Sequence, residues 1–239
     1  MPRFALPFLV ALLSLAAAPA RALDASPWDR VLVAHARGGG MDYDALASDA
    51  RARADLDRFL ASVATMPESE PLSSWLNAYN ALVVKSVLAH RPLASVQRVP
   101  GFFDRERHRV AGRDRTLDEL ENQIIRPRFH DARVHFALNC GAVSCPALHG
   151  HAFVESTLSA TLDRLAKNAV ASDTHVRVNN GRVEVSEIFF WFQADFERDA
   201  GSVLAWLKRY DERRRLASVP NGTTLARIPY RWALNQRSR

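Results

Sequence analysis

Trp75-Leu-Asn-Ala-Tyr-Asn-Ala-Leu-Val-Val-Lys-Ser-Val-Leu88 decides the fold class. Trp75, Tyr79, Leu82 and Ser86 recur at helical spacing, and Leu76, Val83 and Val87 fall on adjacent positions. A helix apolar on most sides has no face to give to water, so it belongs in the middle of a domain. The spacing therefore predicts a buried central helix. Asn77 and Asn80 lie three apart and share a face. Asparagine is a poor helix former, and its amide needs partners when buried. The pair is either a clamp on neighbouring backbone or part of a site.

Upstream, Ser26-Pro27-Trp28 opens a first helix, with Ser26 as cap and Pro27 at the first helical position. Gly38-Gly39-Gly40 supplies its left-handed end. From Asp44 a polar–apolar helix runs through Leu46, Leu56, Phe59, Leu60 and Val63, broken near Asp49. Downstream, His90-Arg91-Pro92 ends the central helix, and residues 107–110 and 113–116 read as a short hairpin. Thr116-Leu-Asp-Glu119 is a capping box opening a helix to about Arg126, closed by Pro127. Glu121 is the acid there that helix-end electrostatics explain least, because it shares a side with Leu117 and Ile125. A helix over 156–171 follows, then a hairpin turned by Asn179-Asn180-Gly181. Next come an aromatic helix (Phe189, Phe190, Trp191, Phe192, Phe196) read as core, a helix over 200–210 and a last strand within 225–232. Helices lead and strands come as hairpins. This predicts an α+β fold: a mainly helical single domain with a small, largely antiparallel sheet and a buried central helix.

The chemistry-bearing stretch is Arg133-Val-His-Phe-Ala-Leu-Asn-Cys-Gly-Ala-Val-Ser-Cys-Pro146, which holds both cysteines. It reads as a buried strand ending at Asn139 and feeding a tight loop. Three readings stay open. Cys140 and Cys145 form a structural or redox disulfide, if Gly141 lets the loop fold back. One of them is a nucleophile, activated by an imidazole such as His135. Or they bind metal with His149 and His151, although the spacing is not a standard zinc pattern. No phosphate-cradling glycine loop and no GxSxG elbow appears, and no cofactor is expected.

Residues 1–22 read as a cleaved targeting segment: Arg3 is its basic start, Phe4 to Pro19 its apolar run, and Ala20-Arg-Ala22 a small-x-small cleavage site. The run is short for a bilayer span and contains prolines, so no stable membrane span is expected after cleavage. This places residues 23–239 in the periplasm or outside the cell. The net charge of +6 comes from scattered arginines; lysine occurs only at positions 85, 167 and 208. Without a basic stripe carrying interleaved aromatics, nucleic acid is not an expected partner. An unidentified small molecule or envelope component is.

The Trp75–Val83 stretch, Leu117-Asp-Glu-Leu-Glu121 with Arg126, and His135–Pro146 together resemble the domain of unknown function family numbered 547. Ser186-Glu-Ile-Phe189 and Asp195-Phe196 fit its pattern too, and the likeness runs from about residue 71 to 210. The resemblance implies a common fold and a site, and names no reaction. The family pattern often has His after the glutamate of the third helix, where this chain has Asn122, so any role of that imidazole falls to His135. The order of central helix and histidine-bearing strand is loosely similar to papain- and transglutaminase-like folds. Those place a cysteine where this chain has Ser73, Ser74 and Trp75, so mechanism does not carry over.

The expectation is an exported domain with a non-catalytic binding or scaffold role, its Cys140–Cys145 disulfide fixing a loop. Asn77, Tyr79, Asn80, Arg126, Asn139 and Ser144 would bind there. The alternative is a thiol-dependent hydrolase or acyl transferase. In it Cys140 or Cys145 attacks, His135 is the base, Glu121 or Asn80 the orienter, and amides near Gly141 the oxyanion donors. In both, the strand from Arg133, the central helix with Asn77 and Asn80, and Glu121 must converge on the cysteine loop.

Overall fold

The computed structural model describes residues 23–179 and 181–237. The expected targeting segment and Asn180 lie outside them. α1 (Ser26–His35) leads into a hairpin of β1 (Ala36–Arg37) and β2 (Gly40–Met41). Ser26 does not cap α1: Ala25 holds that position without a side-chain bond, and the Ser26 N–H donates to Asp24. Nor do the glycines end the helix. Ala36 leaves it in extended conformation, while Gly38 and Gly39, at φ 49° and 79°, make the hairpin turn. Asp49 closes α2 (Tyr43–Ser48) and caps α3 (Ala50–Thr65), its carboxylate accepting from the Arg51 and Ala52 amides. Trp28 of α1 stacks on Phe59 of α3 at 6.3 Å.

α4 (Leu72–Ala89) is the central helix, buried from Leu72 to Val84 without interruption. Its N-terminal amides lack a side-chain cap of their own. The Glu155 carboxylate accepts from the Ser73 amide instead, placing negative charge at the positive end of the helix. β3 (His108–Val110) and β4 (Arg113–Arg115) pair antiparallel. The Ala111 and Gly112 amides at their turn donate to Val63 and Ala64 carbonyls at the end of α3.

The capping box Thr116–Glu119 is present and opens α5 (Leu117–Glu119). Pro127 does not close this helix. The chain widens to a π-helical turn, Leu120–Ile125, and continues as α6 (Arg126–Phe129) before left-handed His130 ends it. A proline inside a regular helix presses its ring on the carbonyl four residues back. The wider turn, in which the Arg126 amide bonds to the Glu121 carbonyl, makes room for that ring.

The predicted strand before the cysteines is a 3-10 turn, Ala132–Phe136, capped by Asp131. Its residues and the three that follow are almost all buried. A continuous apolar run does not distinguish a buried strand from a buried turn by periodicity. Here helices surround the segment and offer no strand edge. α7 (Leu158–Ala171) packs along it. β5 (Val176–Asn179) and β6 (Arg182–Ser186) pair antiparallel, and β7 (Ala226–Ile228) adds in parallel to β6. α8 (Ile188–Trp191), α9 (Gln193–Ala200) and α10 (Val203–Tyr210) follow β6; Gly201 and Ser202 break the single helix expected over 200–210. Phe136, Phe189, Phe196 and Trp206 interlock behind the 3-10 turn.

Residues 231–237 cross three separate parts of the chain. The Arg237 amide bonds to Met41, that of Leu234 to Ala94, and that of Asn235 to the Gly141 carbonyl. Among the described residues no helix is long and apolar enough to cross a membrane.

Candidate functional site

Tyr79 lies on α4, Glu121 and Asn122 on the π turn, and His135 on the 3-10 turn. These elements and the cysteine loop enclose a cavity of about 270 Å³. Tyr79, Glu121, His135, Cys140 and Cys145 line it with Asp118, Phe103, Trp191, Phe192, Tyr230 and Trp232. Tyr79 of the central helix, Glu121, His135 and the cysteine loop therefore meet in one place, while Asn77 and Asn80, expected there too, do not line it.

Asp195 does not line the cavity but anchors His135 from behind its wall. His135 Nε2 lies 2.8 Å from its Oδ2, Arg126 Nε donates to the same oxygen at 2.6 Å, and Arg198 donates to Oδ1 at 2.9 Å. Burial works against this carboxylate, but the bonds from His135 and Arg126 hold it well below the usual range. An ionised Asp195 only accepts, so His135 Nε2 carries a proton. Burial lowers the His135 pKa against the pull of Asp195. The neutral ring then keeps a bare lone pair on Nδ1. That atom is buried with no hydrogen-bond partner, 3.8 Å from Glu121 Oε1. Phe192 stacks on the imidazole at 4.0 Å, with the Arg126 guanidinium 4.7 Å from the Phe192 ring centre. An ionised partner fixing the tautomer and angle of an imidazole is the arrangement of a poised base.

Glu121 is opposite in character. Burial pushes its carboxyl up to about 7, with Arg126 and the Tyr79 hydroxyl pulling the other way. The Tyr79 O–H donates to its Oε2 at 3.3 Å, and burial with the neighbouring Glu121 charge raises the Tyr79 pKa well above normal. Near neutrality the cavity thus holds a carboxyl that both gives and accepts a proton, beside an imidazole that accepts one.

Cys140 and Cys145 are joined, with sulfurs 2.09 Å apart, and no described cysteine is free. Gly141, at φ 82°, turns the loop back. The Tyr230 hydroxyl sits 3.2 Å from each sulfur. Trp191, Tyr230 and Trp232 form an aromatic rim, with centroids 4.7–5.8 Å apart.

The asparagines hold backbone. Asn77 brackets Phe153, donating to its carbonyl and accepting from its amide. Asn80 does the same across the loop, donating to the Ala137 carbonyl and accepting from the Asn139 amide. Asn139 ties the loop internally: its Nδ2 donates to the Pro146 carbonyl, and its Oδ1 accepts from the Gly141 amide and from Asn235. The Ser144 hydroxyl accepts from the Arg231 amide. None of these four lines the cavity; Arg126 stands behind it, on Asp195.

Trp191, Asp195, Tyr230 and Trp232 are site residues that the sequence does not point to. Trp191 reads as core within its aromatic run, yet it is 45% exposed at the rim. Asp195 enters only through the resemblance drawn on Asp195-Phe196, and spacing gives it no role. Tyr230 and Trp232 carry no signal, because a chain crossing brings them in.

His149 and His151 lie elsewhere, beside a wider groove of about 810 Å³. Their groups are occupied: His149 Nδ1 meets the His151 carbonyl, and His151 Nδ1 meets Asp29. Among the described residues no group of three or more His, Cys, Asp or Glu side chains is placed to hold a metal ion. The groove is the larger space, but none of its lining side chains holds a buried polar atom without a partner, so the chemistry points to the smaller cavity.

No curated protein and no solved structure matches the chain. A family model does match, over residues 63–168, a span that holds Tyr79, Glu121, His135, Cys140 and Cys145; that match supports assigning this part of the chain to the family described as Protein of unknown function, DUF547.

Proposed function

We propose that the chain is an exported ligand-binding domain whose cavity takes a small molecule with a flat apolar body and a neutral polar head. The observation that carries this is His135 Nδ1, buried, oriented by Asp195 and unpaired. A buried acceptor left without a donor costs about 1–3 kcal/mol, and a ligand donor would recover that. Glu121, with its carboxyl at about 7, offers the complementary proton. A head group that donates to Nδ1 and accepts from Glu121, such as a hydroxyl or a primary amide, satisfies both. A carboxylate head has no proton to give Nδ1 and leaves that buried acceptor unpaired. Phe103, Trp191 and Trp232 suit a ring-sized apolar body. The disulfide and Asn139 keep the wall rigid, which lowers the ordering cost of binding. Export rests on the apolar run with its small-x-small site and on the paired cysteines, which persist in oxidising compartments.

The thiol-dependent alternative needs a free sulfur, and both sulfurs are engaged with each other. The binding reading is therefore preferred. Its test uses benzamide, phenol and benzoate as probes, followed by tryptophan emission at pH 7. Benzamide and phenol should bind with Kd of about 1 mM, the value for some −4 kcal/mol from so few atoms. Benzoate should bind at least tenfold more weakly, and His135→Ala should abolish the difference. Equal binding of all three, or binding of none, overturns the reading.

A further inference from the structure

The two sulfurs of the Cys140–Cys145 bond have unequal surroundings. Cys140 is the more open residue, and Cys145 is buried. Cys145 Sγ accepts from the Cys140 backbone amide at 3.0 Å and from the Tyr230 hydroxyl at 3.2 Å. A disulfide sulfur carries no proton, so Tyr230 is the donor in each contact, and its one proton lies within reach of either sulfur. A loop braced only for stiffness has no need of two donors on one sulfur at the wall of a cavity. Two donors are what a departing thiolate needs, since exchange is faster when the leaving sulfur is stabilised as an anion.

We propose that this disulfide is redox-active and oxidises small thiols that enter the cavity, with Cys140 as the sulfur attacked and Cys145 as the leaving group. A substrate thiolate bonds to Cys140 Sγ as the Cys140–Cys145 bond breaks, and the electron pair leaves on Cys145. There the Cys140 amide and the Tyr230 O–H receive it. A second substrate thiol then attacks the substrate sulfur of the mixed disulfide, and Cys140 departs as thiolate. Two substrate thiols become one disulfide, and the protein gains two electrons. The two substrate protons end on the two cysteine sulfurs. Glu121 lines the same cavity and is close enough to Tyr230 for its charge to raise that hydroxyl's pKa, after burial has done so. Tyr230 therefore keeps its proton and only hydrogen-bonds the leaving sulfur, while Glu121, with its own pKa near neutrality, can supply the proton that Cys145 takes up and regain one from the substrate thiol. The exchange requires an open cavity but not a head group bound at His135. The two activities can therefore fail separately.

The test uses the oxidised protein at pH 7 with 2-mercaptoethanol as the thiol. The reaction is quenched with a maleimide and read by intact mass, while circular dichroism follows the fold. Native protein should be reduced in minutes with its dichroism unchanged. Tyr230→Phe should be reduced about tenfold more slowly, the loss of one hydrogen bond to a charged sulfur. Cys145→Ser treated with hydroxyethyl disulfide should carry the adduct on Cys140 and form it faster than Cys140→Ser forms one on Cys145. Reduction only in denaturant overturns the proposal, as does an unchanged rate in Tyr230→Phe or faster labelling of Cys145. Should Tyr230→Phe lose its fold, the two serine variants decide. If exchange fails while benzamide still binds, the redox proposal falls and the binding reading stands.

Discussion

Replacing Glu121 with Gln should leave the protein almost as stable at pH 5 and make it markedly more stable than the parent at pH 8.5. Burial lifts this carboxyl from an ordinary 4.5 to about 7, and its side chain keeps 15% of its exposure. Between those two values the folded chain holds a proton that the unfolded chain has released. Stability attached to that proton is complete below pH 4.5 and is lost as pH rises through 7. At about 1.4 kcal/mol for each pH unit, the loss amounts to about 3 kcal/mol. Glutamine is neutral throughout, keeps an acceptor for the Tyr79 hydroxyl, and has nothing to lose. Urea unfolding at pH 5, 7 and 8.5 would measure the difference, equivalent to a melting shift on the order of 10 °C at the highest pH. A Glu121→Gln advantage that stays constant from pH 5 to 8.5 would refute the reasoning. So would a parent whose stability climbs over that range while the variant's does not.

Asn80→Ala should cost about 2–4 kcal/mol in urea unfolding, because it strands the Ala137 carbonyl and the Asn139 amide together; a loss below about 1 kcal/mol, the worth of a single ordinary hydrogen bond, would mean the clamp is idle. Gly141→Ala places a methyl 3.2 Å from Val96 at φ 82°. It should destabilise by about 1–3 kcal/mol, and a change within about 0.5 kcal/mol, the range of an uninvolved surface substitution, would contradict the turn geometry. Asp195 has its pKa depressed by His135 and Arg126 against the cost of burial, so its contribution is present above about pH 4 and lost as pH falls. Asp195→Asn should weaken the fold at pH 7 and flatten the acid limb of the stability curve; an acid limb as steep as the parent's would sink this. Replacing both cysteines with serine should remove about 2 kcal/mol on the chain-entropy account of a five-residue loop, with chemical denaturation as the measure and an unchanged midpoint as the contrary result.

The central helix was legible because nothing else explains fourteen residues with scarcely a polar side. The clamp role of Asn77 and Asn80 was legible as one of two readings, since a buried amide in a helix must bond to something. The capping box and both short hairpins over 107–116 and 175–185 announced themselves through local chemistry. What stayed hidden was whatever depended on distant chain. Residues 133–139 read as a strand because a fully buried run carries no period, and only the surrounding helices make it a turn. Pro127 signalled a helix end, whereas the backbone answered it by widening one turn, and that turn aims Glu121 at the cavity. The Trp191 position in an aromatic run looked like core, yet the rim it forms exists only once Tyr230 and Trp232 arrive.

The crossing of residues 231–237 has a consequence in time. Tyr230 lies 85 residues beyond Cys145, and Asn235 lies 96 beyond Asn139. At about 5–20 residues per second of synthesis, the cysteine loop is made roughly 5–20 s before the segment that holds it. Through that interval neither sulfur has its tyrosine and Asn139 lacks its partner amide. The site is thus incomplete until residues 230–235 are made, and a molecule cut short before them cannot display its chemistry.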